Sequence, residues 1–478
     1  MKYLKNITLL VLAMFVTSCG TDYLDPAPTG GISDATFYSN DSQLLNAIMN
    51  MYDGIQGTNV LKDSSKDKLH ALQYEFYLTE MRSDNTRTKS SEGEAAQFES
   101  YTVQNANGIV SDYYQSFYNV IFRANTVLAN LDVAIAENAG KYEGEAKFVR
   151  AYAYFNLVRL FGDIPLIDHV IGVNDTDIQF TRVASSEIYT LIVSDLQKAI
   201  ETLDNSEINR ASQRAAQALL VKVYLTMHTN YIEAQQLCEA IIAQEGATLG
   251  LMPNFKDVFF TEGNQETLFA IGYLPDGVDS QNFSAEWQNA IGRSSGLNYV
   301  TTEAAAALDA LGGDRTPYSY RIDPTQPTQK QVVKYLNTGD AALGIAPTSN
   351  DDDLAGNDWI VLRYADVLLM HVEAIMAGGT STNAVAALAS FQKVRDRAGL
   401  TDTVTNITKQ ELLDERRVEL AFENQRLFDL VRFGVAQDVL SAYSTANNYS
   451  FTATQLLLPI PQREINLSKG KLTQNPGY

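Results

Sequence analysis

Eight acidic and basic side chains lie in the stretch "ERRVELAFENQRLFDLVRFG" at residues 415–434, where they interrupt an apolar helical pattern. Carboxylates and guanidinium groups this close together could serve an enzyme as general acid and general base. However, Glu423, Arg426, Asp429 and Arg432 follow one another at steps of three residues, and opposite charges at that spacing are neighbours on one helix face. Because a basic neighbour holds a carboxylate ionised, we interpret the stretch as a helical scaffold rather than an active site.

The residues just before this stretch predict where its helix begins. Thr408 and Glu411 in "TKQE" have the spacing of a capping box, in which each satisfies a backbone group of the other. Gly434 is a typical stop signal after a helix. The sequence therefore predicts one continuous helix from Thr408 to Gly434, whose charges fix its register against a neighbouring helix.

The remaining motifs give no support for a metal or cofactor. The four histidines show no HExxH spacing, and the sequence has no Gly-rich phosphate loop, GxSxG elbow or reactive-cysteine signature. The stretch "DDDLAGND" at residues 351–358 resembles a calcium loop, but Ala355 stands where an oxygen ligand is needed and the later Glu is missing. We expect neither a metal site nor a cofactor.

The elements that must position these residues are mainly helices. Hydrophobic residues make up 45% of the 478, enough for a sizeable core, and the formal net charge of -21 makes nucleic acid an improbable partner. Apolar residues recur at helical spacing in eight segments. They are Gln43 to Ile55, Tyr113 to Val133, Glu143 to Phe161, Glu187 to Leu203, Arg214 to Met227, Ile232 to Ala243, Ile360 to Met376 and Ala384 to Arg397.

Some of these helices are paired in the manner of tetratricopeptide repeats. Residues 215–242 and residues 362–399 each read as a helix, a turn and a second helix, close to the ~34-residue period of that repeat. Residues 146–167 with residues 185–203 form a possible third pair with an insertion between its helices. Between residues 246 and 354, by contrast, Gly, Pro, Asn and Asp cluster between short alternating runs, which predicts loops with a few short strands.

The N-terminus has the pattern of a lipoprotein signal. Lys2 and Lys5 precede a short apolar run at residues 7–16, and "VTSC" places small residues before Cys19. We expect cleavage after residue 18 and lipidation of Cys19; a plain signal peptide with Cys19 as a free thiol is the alternative. Losing both lysines changes the formal net charge from -21 to -23. Residues 19–40, rich in Gly, Pro and Asp, predict a tether, and Cys238 is expected to be a small buried side chain.

Five motifs, in order along the chain, closely resemble the RagB/SusD family of outer-membrane lipoproteins. They are "AKFVRAYAYFNLVRLFGDIPLI", "LRYADVLLMHVEA", "FQKVRDRAGL", "ERRVELAFENQRLFDLVRFG" and the C-terminal "LLPIPQREINLSKGKLTQNPGY". The resemblance implies a mainly α fold: a single SusD-like domain over residues 41–478, with tetratricopeptide-like pairs at about 41–245 and 355–434. It also implies a loop-rich insertion at about 246–354 and a C-terminal segment at 435–478.

The resemblance further implies what the protein does. Members are anchored by lipid at the outer membrane, facing the cell exterior, and capture an oligosaccharide or polysaccharide for a SusC-like TonB-dependent transporter, without cleaving it. A helical scaffold that binds only protein partners is the first alternative. A glycosidase is the second, since its two carboxylates need only be adjacent in space.

In the resembled family the insertion and early loops line the glycan site. A sugar has an apolar C–H face and a rim of hydroxyls, so its site needs an exposed aromatic ring flanked by amide, carboxylate or guanidinium groups. One candidate patch comprises Trp287, Gln288, Asn289, Arg293, Asn298 and Tyr299, and the other comprises Arg82, Asp84, Asn85, Arg87, Phe98 and Tyr101. Each has an alternative: Trp287 and Tyr299 as core residues, and Arg82, Asp84 and Asn85 as an Asx turn with a surface ion pair.

Overall fold

The computed structural model describes residues 38–63, 65, 68–88, 93–172, 175, 177–287, 298–324, 326–351 and 353–478. Gln288, Asn289 and Arg293 of the first candidate patch lie outside these residues, as does the lipidation candidate Cys19. Within the described part no helix is both long enough and apolar enough to cross a bilayer.

Helices dominate the described residues, which confirms the predicted mainly α class. The α-helices are α1 Asp41–Gln56, α2 Glu75–Leu78, α3 Gly93–Glu99, α4 Gly108–Ala129, α5 Ala136–Phe161, α6 Ser185–Thr202, α7 Gln213–Thr226, α8 Tyr231–Ile242, α9 Asp257–Phe260, α10 Phe283–Trp287, α11 Thr302–Leu311, α12 Thr316–Ser319, α13 Tyr364–Met376, α14 Val385–Arg397, α15 Lys409–Glu419, α16 Arg426–Arg432, α17 Ala436–Ala446 and α18 Gln462–Leu467. Short 3-10 turns occupy Ala71–Tyr74, Glu80–Arg82, Leu131–Val133, Ile178–Phe180, Gly313–Arg315 and Ala453–Leu456.

The strands are short and pair two by two. They are β1 Thr86–Thr88, β2 Ile164–Pro165, β3 Arg182–Val183, β4 Thr267–Ile271, β5 Asn298–Val300, β6 Tyr320–Ile322, β7 Lys330–Val332, β8 Trp359–Arg363, β9 Ser381–Thr382 and β10 Ile407–Thr408. All five pairs are antiparallel: β1 with β5, β2 with β3, β4 with β8, β6 with β7 and β9 with β10. Four of these strands, β4, β5, β6 and β7, lie in the predicted loop-rich insertion, together with the ten-residue helix α11, which was not predicted.

Eight helices form a continuous array in which each packs against the next: α1, α4, α5, α6, α7, α8, α13 and α14. The predicted pairs α7–α8 and α13–α14 are confirmed, and α5 packs on α6 as the possible third pair required. Small side chains allow this close packing, since Ala215, Ala216 and Ala218 of α7 are fully buried. The array is a rigid scaffold on which loops and short strands are mounted.

Helix α5 is at the centre of the array and is buried on most sides. Its residues Phe148, Tyr152 and Phe155 are almost fully buried. The ring of Phe148 meets Phe269 of β4 edge-on, with centroids 5.1 Å apart. Strand β4 with its partner β8 therefore closes the core on the side of the insertion. Cys238 of α8 is fully buried, as predicted.

Two predicted helix boundaries are wrong. The segment predicted as a helix from Ile360 begins as strand β8, and helix α13 starts only at Tyr364, because residues 359–363 pair with β4. The predicted helix from Thr408 to Gly434 does begin with the capping box of Thr408 and Glu411, but it breaks between α15 and α16. Phe422 and Asn424 adopt positive φ angles of 65° and 57° there, which a right-handed helix cannot contain.

The charged side chains of residues 415–434 bond mostly to other elements, not to one another. Of the predicted neighbours, only Asp429 and Arg432 pair within their helix, at 2.8 Å. The Glu423 carboxylate instead forms ion pairs with Lys334 Nζ at 2.6 Å and with Arg363 Nε at 2.7 Å. The helix break causes this difference, since it separates Glu423 from the register of α16.

Glu419 is the centre of this buried ion-pair network. It accepts hydrogen bonds from Arg315 at 2.8 Å, from Arg363 at 2.6 Å and from Arg397. Burial alone would raise the pKa of Glu419, but the three guanidinium groups hold it well below its usual range. The carboxylate stays ionised and joins α15 to α14, β8 and the insertion, which supports the scaffold interpretation.

Candidate functional site

Strands β1 and β5 bring the two candidate patches together, although they are about two hundred residues apart in sequence. Thr86, Arg87 and Thr88 pair with Val300, Tyr299 and Asn298 respectively. Directly opposed residues on an antiparallel pair have neighbouring side chains. The Arg87 guanidinium accordingly lies over the Tyr299 ring, with its central carbon 5.3 Å from the ring centroid.

Glu99, at the end of α3, contacts both strand β1 and the Arg87 side chain. Its carboxylate accepts the backbone N–H of Thr88 at 2.6 Å and the hydroxyl of Tyr449 at 2.6 Å, and Arg87 Nε lies 3.5 Å away. Burial raises the pKa of the Glu99 carboxyl, while the bonds from Tyr449 and Thr88 oppose the rise. One buried carboxylate thus fixes the strand and a second phenol by hydrogen bonds and attracts the guanidinium of Arg87.

The result is a small surface patch, which we name the Arg87 patch: Arg87, Tyr299 and Tyr449 over Glu99. The Arg87 side chain is 38% exposed, and both tyrosines are half-buried. The patch offers aromatic ring faces, guanidinium donors and phenol oxygens at one place. These are the groups that an apolar sugar face with its rim of hydroxyls requires.

Trp287 does not contribute an open ring to this patch. Its side chain is fully buried, with its centroid 5.5 Å from that of Phe76 and 6.1 Å from that of Phe422. The proposed exposed platform is therefore corrected to the core alternative. Asn298 is also fully buried, and neither polar atom of its amide has a partner among the described residues.

Arg82, Asp84 and Asn85 are buried too, which corrects both their proposed contact with a ligand and the alternative surface pair. Arg82 donates to the carbonyls of Gln455 at 2.6 Å and Leu456 at 3.1 Å. Asp84 is held by Arg426 at 2.8 Å and by Arg417 at 2.9 Å, and Arg417 Nε also donates to Asn85 Oδ1 at 3.0 Å. These side chains fasten β1 to α15, α16 and the C-terminal segment.

The two aromatic residues of the second candidate patch also lie in the core. Phe98 is fully buried against Tyr77, with centroids 6.1 Å apart, and Tyr101 packs edge-on against Phe451. Both were expected to face a ligand, and the structure corrects this. Of the predicted residues that are described, Tyr299 and Arg87 remain accessible.

Sequence reasoning missed Tyr449 and Glu99. Tyr449 follows Asn447 and Asn448, the same combination of amides and an aromatic ring that singled out the insertion. That signal was present, but it stood in the C-terminal segment, far from the predicted loops. Glu99 gave no signal, since its role depends on the position of Tyr449.

Within the described part of the chain, no three His, Cys, Asp or Glu side chains are placed to hold a metal ion together. The Arg87 patch contains one carboxylate, that of Glu99. Both oxygens of its carboxylate already accept hydrogen bonds.

The amino-acid sequence of the chain is similar to those of known proteins. The model of the SusD family matches residues 311–478, and a model described as "Starch-binding associating with outer membrane" matches residues 22–225. SusD-like protein P2 of Formosa agariphila is 27% identical over 99% of both chains.

Two solved structures have the same fold. A laminarin binding SusD-like protein is 24% identical, with a TM-score of 0.76 over 92% of this chain and 100% of that one. Surface glycan-binding protein A from Bacteroides thetaiotaomicron, in complex with laminarihexaose, is 20% identical, with a TM-score of 0.75 over 91% and 99%. The chain is therefore similar at both ends to the SusD family, and it has the fold of these SusD-like proteins.

Proposed function

We propose that this protein captures an oligosaccharide or polysaccharide at the cell surface and delivers it to a SusC-like TonB-dependent transporter. The observation that carries the proposal is the Arg87 patch, where Arg87 and Tyr299 oppose each other on one strand pair and Glu99 holds the hydroxyl of Tyr449 beside them. Relatives named for laminarin binding and starch binding support a glycan as the ligand class.

Recognition at this patch would combine stacking and hydrogen bonding. The ring of Tyr299 suits the C–H face of a sugar, while Arg87 and the Tyr449 hydroxyl suit its rim of hydroxyls. Because Glu99 already fixes the hydroxyl of Tyr449, binding would cost little ordering of that side chain. Asn289 and Arg293, which directly precede β5 in sequence, remain proposed contributors to the same site.

Attachment to the membrane and delivery to a transporter are the finer parts of the proposal. Lipidation of Cys19 would anchor the chain at the outer membrane, and residues 19–40 would act as the tether. The description of the second family model supports this location. Tethering also makes a weak glycan site sufficient, because it raises the effective concentration of the captured ligand beside the transporter.

The test is calorimetric binding of the purified mature protein to four hexasaccharides: laminarihexaose, maltohexaose, xylohexaose and mannohexaose. We expect one of them to bind, and we expect Tyr299→Ala and Arg87→Ala each to weaken it at least tenfold. Tyr231→Ala, which removes a half-buried tyrosine from α8 in the scaffold, is the matched control and should bind normally.

The same samples separate the alternatives. Release of reducing ends would show a glycosidase and would contradict the proposal that the protein only binds. If the wild-type protein binds none of the four sugars but still co-purifies with a transporter, the scaffold that binds only proteins is the better explanation.

A further inference from the structure

A second concave surface lies along helix α4, apart from the Arg87 patch. It encloses about 380 Å³ and is lined by α4, by Glu464 of helix α18 and by Ile167, His169, Ile171, Gln179 and Phe180. Its walls include the rings of Tyr118, Phe122 and Phe180. Phe122 is 52% exposed although it is a large aromatic residue in the middle of a helix. No described residue is shared between this groove and the Arg87 patch.

Polar groups face the same groove. Among the described residues, neither the Gln179 side chain nor the Glu464 carboxylate has a hydrogen-bond partner, and Arg463 forms an ion pair with Glu464 at 3.8 Å. Burial raises the pKa of Glu464, with Arg463 opposing the rise. Tyr118 is held in place because its hydroxyl donates to the carbonyl of Pro165 at 2.8 Å. An amide and a carboxyl are therefore available beside fixed aromatic walls.

A separate depression of about 490 Å³ is lined in part by Arg463, which donates to Gln115 of the groove. This depression is also lined by the amides of Asn105, Gln462 and Asn466 and by Ser111 of α4. From Ser111 to Phe122 the helix rises about 16 Å, so the depression and the groove lie along α4 rather than in a single pocket.

We propose that this groove is a second carbohydrate site, which binds a short stretch of the same glycan as the Arg87 patch. The inference rests on the proposed function. An apolar segment of a partner protein would match the aromatic walls but would leave the amide of Gln179 and the carboxyl of Glu464 unpaired. A sugar chain matches both, because each unit presents a C–H face and hydroxyls. The volume also lies in the range of small-ligand sites.

A second site has a physical advantage for a capture protein. Two weak sites on one chain hold a long glycan more tightly than either site alone, because binding at one raises the effective concentration at the other. Binding at the groove therefore need not be strong, and the effect is greatest for polymers.

The experiment is isothermal titration of the mature protein with the hexasaccharide that it binds among the four named above. We expect two binding sites per chain in the wild type and one in the double variant Phe122→Ala with Phe180→Ala. Tyr299→Ala should also leave one site, and combining all three substitutions should abolish binding. Ile232→Ala, which removes a 70% exposed apolar side chain from α8, is the control and should keep both sites.

Each outcome decides the matter. One site in the wild type, lost with Tyr299→Ala and unchanged in the groove variant, overturns the second site and leaves the proposed function intact. A groove variant that keeps both sugar sites but no longer co-purifies with a transporter makes the groove a protein-docking surface instead. If the wild type binds none of the four sugars, the proposed function fails, and the second site, which rests on it, fails with it.

Discussion

At the scale of single residues, the ligand patch depends on a charge that the ligand would not touch. Glu99 is buried and bonds the backbone of β1 and the hydroxyl of Tyr449. Strand β1 and the Tyr449 side chain are thereby ordered before a ligand arrives, which removes part of the entropy cost of binding. A buried acid here positions side chains, and the same holds for the acids of residues 415–434.

The sequence indicated which residue types form the patch, but it did not indicate which side chains face the solvent. Arg87 and Tyr299 were named because aromatic and guanidinium groups cluster in their segments. Trp287 met the same criterion and is buried, since Phe76 and Phe422 from distant segments enclose it. Which side chain faces outward is decided by such long-range contacts, and one sequence does not reveal them.

The ion-pair network gives a prediction at this scale. Arg363→Met should lower the free energy of unfolding by about 3 to 5 kcal/mol, because it leaves buried Glu266, Glu419 and Glu423 each without one cation. The measurement is urea unfolding followed by circular dichroism.

Lys393→Met is the matched control for that variant. Lys393 pairs with Glu245, but the two side chains are 41% and 34% exposed, so the loss should be below about 1 kcal/mol. Equal losses in the two variants would contradict a structural role for the buried network.

At the scale of secondary structure, periodicity predicted the helices well where each packs on its sequence neighbour. Helices α7 and α8 agree with their predicted bounds to within one residue at each end. The break between α15 and α16 was missed because it depends on other elements. Lys334 donates to the carbonyl of Glu419 at 3.1 Å, and Tyr335 donates to that of Phe422 at 2.9 Å. Two side chains of the insertion therefore provide hydrogen bonds to backbone carbonyls at the break in the helix.

The crossing of α5 and α6 gives the second prediction. Gly144 of α5 faces the end of α6 so closely that an added Cβ would lie 2.4 Å from Thr202 Oγ1 and 3.0 Å from Leu203. Thr202 cannot turn away freely, because its hydroxyl donates to the carbonyl of Lys198. Gly144→Ala should therefore destabilise the protein by roughly 1 to 3 kcal/mol despite the better helix propensity of alanine.

Gly140 lies one turn earlier in the same helix and provides the control. A Cβ there would be 3.9 Å from Thr202, an ordinary contact. Gly140→Ala should raise the free energy of unfolding by up to about 1 kcal/mol, since alanine favours the helix. Thermal unfolding of both variants would show opposite shifts of Tm, and a stabilising Gly144→Ala would mean that the two helices can move apart at little cost.

At the scale of the whole molecule, the helix array and the ligand patch have different physical origins. The array follows from apolar periodicity, which is local and was read directly from the chain. The patch joins residues 87, 99, 299 and 449, which only the complete fold brings together. The family resemblance indicated the fold and the ligand class in advance, but it did not indicate which of the 25 tyrosines would be accessible.

The formal net charge of -21 gives the last prediction, about the kind of glycan that binds. The net negative charge disfavours the approach of polyanions, and the one cation of the patch already lies 3.5 Å from Glu99. A neutral glucan meets no such repulsion, so its affinity should change less than about twofold between 50 and 500 mM NaCl, because salt screens only charge interactions. A uronate polymer of equal length should bind more weakly, and more so at low salt. Titrations of both polymers across that salt range would check this. Tighter binding of the uronate polymer at low salt would show that Arg87 is free to recognise a carboxylate, and that the local charge of the patch outweighs that of the molecule.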